Sequence, residues 1–264
     1  MKLSDSQRET FHTKGWIVIP SVFAADEVAV LNAAVERVTH RDGPEVAREP
    51  NGAPHVVYGM HLIDKRFAAL AHHPAIVEPA EELLDSQIFV HQSRVNVKQT
   101  GGSIVKWHQD FGTYHRVDGL PDPRGIMVGV FLDEINACNA PVLAIPGSHR
   151  HGIVSEAFKD PTSEDFATVS KYRYDIPADT IASLVEAHGL ESIMGPAGSL
   201  LLMDMTVVHG SSVNITPLRR VILYLNVSAV DNRGETYERP EYYAARDFSP
   251  LIPAEADCLR RLAS

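Results

Sequence analysis

The sequence predicts a mainly β protein, a double-sheet barrel with flanking helices. Strand-like segments dominate the middle and C-terminal half of the 264 residues, and long connections rather than tight hairpins join them. No βαβ alternation with a glycine-rich phosphate turn appears, which argues against a doubly wound sheet. With 44% hydrophobic and 22% charged residues the chain has ample apolar side chain for a core.

The first element is a helix. Ser4 and Gln7 have capping-box spacing, Phe11 closes an apolar face, and Lys14-Gly15 stops it. A strand over Trp16 to Pro20 follows. Ala25 to Val38 places Val28, Leu31, Ala34, Val35 and Val38 on one face of an amphipathic helix. Residues 41 to 57 are rich in Pro, Gly and charge, have no period and read as a long irregular loop. A helix over Pro74 to Leu84 precedes strands over Gln87 to Lys98, Ile126 to Asp133, Val142 to Ile145, Ser199 to Met203 and Arg220 to Val230. Residues 155 to 192 form a polar insert, partly helical over Ser163 to Tyr172 and Asp179 to His188. It stands where a lid or sidewall of a barrel mouth would be built, and a plain surface insertion fits equally. No repeat or linker interrupts the chain, so one domain over 1–264 is the economical count. It has a helical N-terminal part over 1–85, a barrel core over 86–232 and a polar tail over 233–264.

Composition removes several function classes. With 24 Lys and Arg against 34 Asp and Glu, the formal net charge of −10 repels a phosphate backbone or an anionic membrane surface. Nucleic acid is not an expected partner. Two cysteines, Cys138 and Cys258, are too few for a disulfide framework and suit a reducing setting. The N-terminus has no apolar core of signal-peptide length, and the longest apolar stretch, around Ile126 to Leu132, is far short of a membrane span. A cytoplasmic protein without a membrane partner is therefore expected, and both a monomer and a homodimer fit.

Thirteen histidines direct attention to metal ligands. In Trp107-His108-Gln109-Asp110 an extended chain would project His108 and Asp110 to one side, offering an imidazole and a carboxylate to one ion. Alone this is weak, since roughly one His-x-Asp pair arises by chance in such a chain. A second pair, His40 and Asp42, sits where an amphipathic helix ends and reads as structural. The first pair gains weight from His209, which follows the short apolar strand ending near Met203. Two histidines and one carboxylate on one face of an iron leave positions free for a cosubstrate and O₂, as in non-haem Fe(II) oxygenases. The same trio could hold Zn²⁺ with one open position, so a zinc-dependent hydrolase or isomerase on a cupin-like barrel is the alternative. Arg220, eleven residues after His209, could pair with a carboxylate that also reaches the metal, and Ser211 could add a hydroxyl. Its neighbour Arg219 competes for the role, because only one of two adjacent strand residues points inward.

Several longer motifs carry a resemblance. WHQD at 107–110, PGSHRHG at 146–152 and HGSSVNITPLRR at 209–220 resemble, in order and spacing, the phytanoyl-CoA dioxygenase-like family of Fe(II)/2-oxoglutarate oxygenases. The opening LSDSQRETFHTKGWIVIPSVF is similar to that family's entry helix and first strand, so the resemblance spans nearly the whole chain. HQSRVNVK at 91–98, WHQDFGTYH at 107–115, DGLP at 118–121 and HGSSVNITP are similar to the ectoine hydroxylase branch. The resemblance implies a double-stranded β-helix of jelly-roll, cupin-like type. It implies Fe(II) held by His108, Asp110 and His209, with 2-oxoglutarate held by Arg220, Ser211 and Asn96, and O₂ as oxidant. Gln92 and Arg94 alternate with Asn96 and would form a pocket wall.

The substrate expectation comes from departures. The positions matching the aromatic cage that ectoine hydroxylases place around their cationic ring are Val105, Met203, Tyr114 and Tyr224. A serine that assists the cosubstrate in that branch is matched by Met127, and Gln109 matches the wider family rather than that branch. The scaffold looks shared and the pocket reshaped. A small polar metabolite other than ectoine is the expected substrate, amino-acid-like, zwitterionic or a natural-product intermediate, with ectoine itself as the alternative. Because Asp110 retains the carboxylate, hydroxylation is expected, coupled to decarboxylation of 2-oxoglutarate to succinate and CO₂, with desaturation, ring closure or epimerisation as the other outcomes such a centre can give.

Overall fold

The computed structural model describes residues 1–159, 172–234 and 239–263. Two antiparallel sheets face one another, as predicted. The larger contains β1 (Trp16–Ile19), β2 (Val46–Arg48), β3 (Pro54–Tyr58), β4 (Ile88–Lys98), β6 (Gly125–Phe131), β11 (Leu200–Asp204) and β13 (Arg220–Ala229), ordered β1-β11-β6-β13-β4-β3-β2. The smaller contains β5 (Val105–His108), β7 (Val142–Ala144), β10 (Glu191–Ile193) and β12 (His209–Ser211), ordered β10-β7-β12-β5.

Side-chain alternation divides the apolar residues between two layers. On the outer face of the large sheet Val95, Val97, Val128, Val130, Leu200, Leu202, Val221, Leu223 and Leu225 join one core cluster. They pack against α2 (Ala25–Thr39), α4 (Lys65–Ala71) and α5 (Pro74–Leu84). The predicted stripe of α2 is buried there, with Leu31 and Ala34 wholly inaccessible; burying a leucine in this way stabilises by about 1.5–3 kcal/mol. The inner face carries a second cluster, in which Met127, Phe131, Leu201, Met203, Ile222 and Tyr224 meet Val142 and Ala144 of the small sheet.

The longest pairing sets the site. In β4 and β13 the register partners run from Arg220 with Lys98, through Ile222 with Asn96 and Tyr224 with Arg94, to Asn226 with Gln92, after which a bulge shifts the ladder. Because Ile222 and Tyr224 lie on the inner face, this alternation gives the barrel interior a polar stripe of Gln92, Arg94, Asn96 and Lys98.

Local signals place the N-terminal elements. α1 (Asp5–Lys14) has the capping box, with the Ser4 side chain accepting from the Gln7 backbone N–H, and it ends at Gly15 with φ +92°. A Cβ there would lie 2.5 Å from Val207 Cγ2, so glycine is required both by conformation and by space. α5 has its predicted bounds. Residues 41 to 57 differ from expectation, because β2 and β3 are a hairpin that extends the large sheet beyond β4. The part over 1–85 is thus helices plus three strands, with short α3 (Met60–Ile63) among them. In the insert β8 (Glu156–Lys159) pairs with β9 (Tyr172–Asp175), and α7 (Ala178–His188) matches the second predicted helix. The helix predicted from Ser163 lies outside the described residues, except that Tyr172 begins β9.

Candidate active site

His108 ends β5 and His209 begins β12, and the two are register partners in the small sheet. Their rings lie side by side with centroids 4.2 Å apart. Gly210 permits this approach, since a Cβ there would meet the Val105 carbonyl oxygen at 2.9 Å. Asp110 arrives by a different route from the one predicted. The chain is extended only through Gln109, with φ −125° and ψ 126°, and Asp110 opens α6 (Asp110–Asp118). Its carboxylate therefore stands at a helix N-terminus, where negative charge is favoured.

Gln109 is buried and holds this junction. Its Nε2 donates to the carbonyls of Gly152 at 2.7 Å and Thr206 at 2.6 Å, and its Oε1 accepts from the Val154 N–H at 2.9 Å. An amide serves because it donates and accepts at one position. His40, of the second pair, caps the end of α2 with its Nδ1 2.6 Å from the Glu36 carbonyl, and Asp42 is exposed.

Among the described residues His108, Asp110 and His209 form the one group of three metal-ligating side chains, with ligand atoms within 4.8 Å of one another. His108 Nδ1 lies 2.8 Å from the Lys106 carbonyl and His209 Nδ1 3.0 Å from the Val207 carbonyl. A carbonyl only accepts, so each Nδ1 carries the proton and each Nε2 keeps its lone pair for a metal. His108 Nε2 lies 3.4 Å from Asp110 Oδ1. The other oxygen, Oδ2, accepts from Asn226 Nδ2 at 2.8 Å and faces Arg94 Nη2 at 3.4 Å.

Electrostatics favours the ligand state. Burial alone would raise the Asp110 carboxyl, but Arg94 and the contact with His108 outweigh it and hold the group well below the usual carboxylate range. Burial first, then neighbouring His108, lower His209 to about 3, so its imidazole is neutral. Two neutral imidazoles and a carboxylate, oriented by partners on their far atoms, fit a divalent iron or zinc.

The residues predicted for the cosubstrate lie on β4, β12 and β13. Arg220 points inward and is 1% exposed; its Nη1 donates to the Ala140 carbonyl at 2.5 Å and its Nε has no partner. Arg219 points outward to Asp133, Glu36 and Asn32. Ser211 is buried, and Asn96 Oδ1 is buried without a partner. Of the predicted pocket residues, Gln92, Arg94, Tyr114 and Tyr224 converge. Arg94 Nη1 donates to Gln92 Oε1 at 2.6 Å and to Tyr114 Oη at 3.3 Å, and its guanidinium lies 4.9 Å from the centre of the Tyr224 ring. Met203 is fully buried beside its register partner Met127. Val105 pairs with Ser211 across the small sheet. Both line a cleft of about 450 Å³ whose other walls include Trp107, Leu143, Ile176 and Ile181. His115 and His149, which lie inside matched motifs, turn away to the carbonyls of Leu120 and His12.

Sequence reasoning missed three contributors. Lys98 and Asn226 continue the alternation of Asn96 and Tyr224, and that continuation was the available signal. The third is Asp118, which opens the DGLP motif and is buried between His91, 2.8 Å from its Oδ2, and Arg239, whose Nε donates to its Oδ1 at 2.8 Å. His91 and Arg239 both lie against the Tyr114 ring. The tail over 233–264 reaches the site too, through the Tyr243 carbonyl that accepts from Gln92 Nε2 at 2.7 Å.

The family model for phytanoyl-CoA dioxygenase (PhyH) matches residues 11–222. The chain belongs to the phytanoyl-CoA dioxygenase family. It is 32% identical over 251 residues to an L-proline trans-4-hydroxylase of Streptomyces griseoviridis, covering 93% of this chain and 94% of that protein. It is 34% identical over 258 residues to an ectoine dioxygenase of Stutzerimonas stutzeri, covering 92% of this chain and 84% of the relative. The crystal structure of EctD from S. alaskensis with 2-oxoglutarate and 5-hydroxyectoine superposes with a TM-score of 0.82 at 30% identity, over 96% of this chain and 87% of that one. EctD with bound Fe superposes with a TM-score of 0.81 at 31% identity, over 96% and 87%. This family member is thus a non-haem iron dioxygenase of the double-stranded β-helix fold. Among the described residues no helix is long and apolar enough to cross a membrane.

Proposed function

We propose that this dioxygenase hydroxylates an unactivated C–H bond of a small amino-acid-like metabolite, using Fe(II), 2-oxoglutarate and O₂. Bound Fe(II) supplies activation of O₂, with 2-oxoglutarate oxidised to succinate and CO₂ as one oxygen atom enters the substrate. His108, Asp110 and His209 would hold the metal, and Arg220, Ser211 and Asn96 the cosubstrate. The observation that carries the reading is the convergence of the two histidines and one carboxylate with a buried arginine on the same barrel interior. A zinc hydrolase would have no use for that arginine.

Arg94 supports the substrate class. Its guanidinium covers the face of Tyr224, so that aromatic face is already occupied by a cation. A cationic ring finds only Tyr114 of the remaining cage positions, because Val105 and Met203 are aliphatic. A substrate carboxylate, by contrast, meets the donors of Arg94 next to the metal ligands. The similarity to a proline hydroxylase over almost the full length of both chains agrees with an amino or imino acid.

Anaerobically purified protein loaded with Fe(II) and 2-oxoglutarate, then exposed to O₂ with pools of free amino acids and related zwitterions, is expected to form succinate faster with one pool. Iron-independent turnover, or no succinate and copurified zinc, would overturn the reading.

A further inference from the structure

A second pair of histidines faces one another outside the iron site. His151 ends the short 3₁₀ turn Ser148–His151 that follows β7, and His188 is the last residue of α7 in the insert. Their Nε2 atoms lie 3.0 Å apart, while the ring centroids are 5.2 Å apart with planes inclined by 70°. The nitrogens are nearer than the centroids, so the two Nε2 edges point at each other. Among the described residues neither ring has another hydrogen-bond partner. His151 is exposed and His188 half-buried, so both can be reached from solvent. His149 of the same turn points elsewhere, to the His12 carbonyl at 3.2 Å, and no third ligating side chain joins the pair among the described residues.

Two facing ring nitrogens can hold either one proton or one metal ion between them. In the hydrogen bond one Nε2 donates and the other accepts. With both protons on the solvent-facing Nδ1 atoms, both Nε2 lone pairs are aimed at one point. Zinc–imidazole distances of about 2.0–2.1 Å put two nitrogens about 2.9 Å apart at a right angle and about 3.3 Å apart at the tetrahedral angle. The 3.0 Å separation lies within that range, so the rings already stand at chelating distance. Imidazole nitrogen suits Zn²⁺, Ni²⁺ and Cu²⁺, and two protein ligands leave the other positions to water. We infer that His151 and His188 form a second metal site, which takes an exchangeable late transition-metal ion and clasps α7 to the barrel. Both ends of the clasp are anchored. Gly152, next to His151, accepts from Gln109 Nε2 at 2.7 Å, and Gln109 stands between the ligands His108 and Asp110. At the other end Leu184 of α7 packs with Ile145, Ile176 and Val208, and Val185 and Trp107 lie against that cluster. The inference does not depend on what the iron site oxidises.

The probe is Zn²⁺ alone, added to the metal-free full chain, with bound metal counted after equilibrium dialysis over a range of free zinc. Wild type is expected to bind two ions per chain, one at His108, Asp110 and His209 and a weaker one at the pair. His151→Ala and His188→Ala should each bind one ion fewer than wild type while keeping its metal-free unfolding midpoint. His188→Gln puts an amide that can still hydrogen-bond to His151 in place of a good zinc ligand, and it too should lose one ion. His40→Ala, remote from both sites, should keep the wild-type count. The clasp is read by amide hydrogen exchange over residues 148–154 and 178–188. Occupation of the second site should slow exchange there about 10- to 100-fold when free zinc exceeds the dissociation constant by those factors, and the slowing should vanish in the variants. Equal zinc counts in wild type and both alanine variants overturn the metal site. So does an ion lost in the alanine variants but kept with the same affinity in His188→Gln. A second ion that leaves exchange in both segments unchanged overturns the clasp.

Discussion

The two ends of the polar stripe on β4 and β13 hold buried cations in opposite conditions. Arg94 is surrounded by partners of this chain, Asp110, Gln92 and Tyr114 by hydrogen bonds and Tyr224 by its ring. Arg220 and Lys98, four residues further along the same register, have carbonyls and a hydroxyl but, among the described residues, no carboxylate. The compensated cation belongs to the scaffold that holds the metal ligands, although its donors also face the pocket. On the proposed reading of the site, this pair awaits an anion from outside the chain, which is how a binding site differs energetically from a structural ion pair.

Substitutions break this comparison at different points. The largest effect is expected for Asp110→Ala, which removes a ligand and the counter-ion of Arg94 together. Turnover should fall by about a thousandfold or more, and iron retained after dialysis should drop in parallel. Next comes the contrast between the arginines. Arg94→Met leaves the buried Asp110 carboxylate without its cation and should cost about 3–5 kcal/mol in urea unfolding of the metal-free protein. Arg220→Met leaves no buried carboxylate behind and should leave the unfolding midpoint unchanged or raised while 2-oxoglutarate binding is lost. Equal destabilisation by both would remove the distinction.

A smaller effect is a pH dependence. Burial and Arg220 depress the Lys98 ammonium from 10.5 to about 7, with Glu49 as the opposing charge. Between those values the unfolded chain binds a proton that the folded, ligand-free chain does not, so Lys98 adds stability as pH rises through the window and removes it as pH falls through about 7. Wild type should therefore gain in unfolding midpoint relative to Lys98→Met as the buffer is raised from neutral, and a constant gap would refute this. The smallest effect belongs to His40→Ala. Turnover and iron content should stay within about twofold of wild type, as for a surface substitution away from the site.

Much of this site was legible in the sequence because its residues carry local patterns. Capping, apolar period and alternation are short-range properties, and they located α1, α2, α5 and the long strands. Alternation along β4 also placed Gln92, Arg94 and Asn96 on one face, and one further step would have added Lys98. Other features left weaker marks. The hairpin of β2 and β3 has little apolar alternation and forms because the edge of β4 offers unpaired backbone groups. The expected extended route to Asp110 ends one residue earlier because α6 begins there. Gln109 looked like a family marker between two ligands, and only folding showed that it ties two distant backbone segments, at Gly152 and Val154 and at Thr206, to its own.

The sequence by itself determined the N-terminal helices, the long strands, the family and the identity of residues able to hold a metal and a carboxylate, since these depend on residue type and spacing. Only the tertiary structure decided between Arg219 and Arg220, because inward and outward are defined by which sheet face meets the helices. It alone brought Asp118, Arg239 and the tail behind Tyr114 and Gln92. It also showed that Arg94 has a carboxylate partner and that Lys98 has none among the described residues, because charge compensation depends on distances between segments that no local pattern encodes.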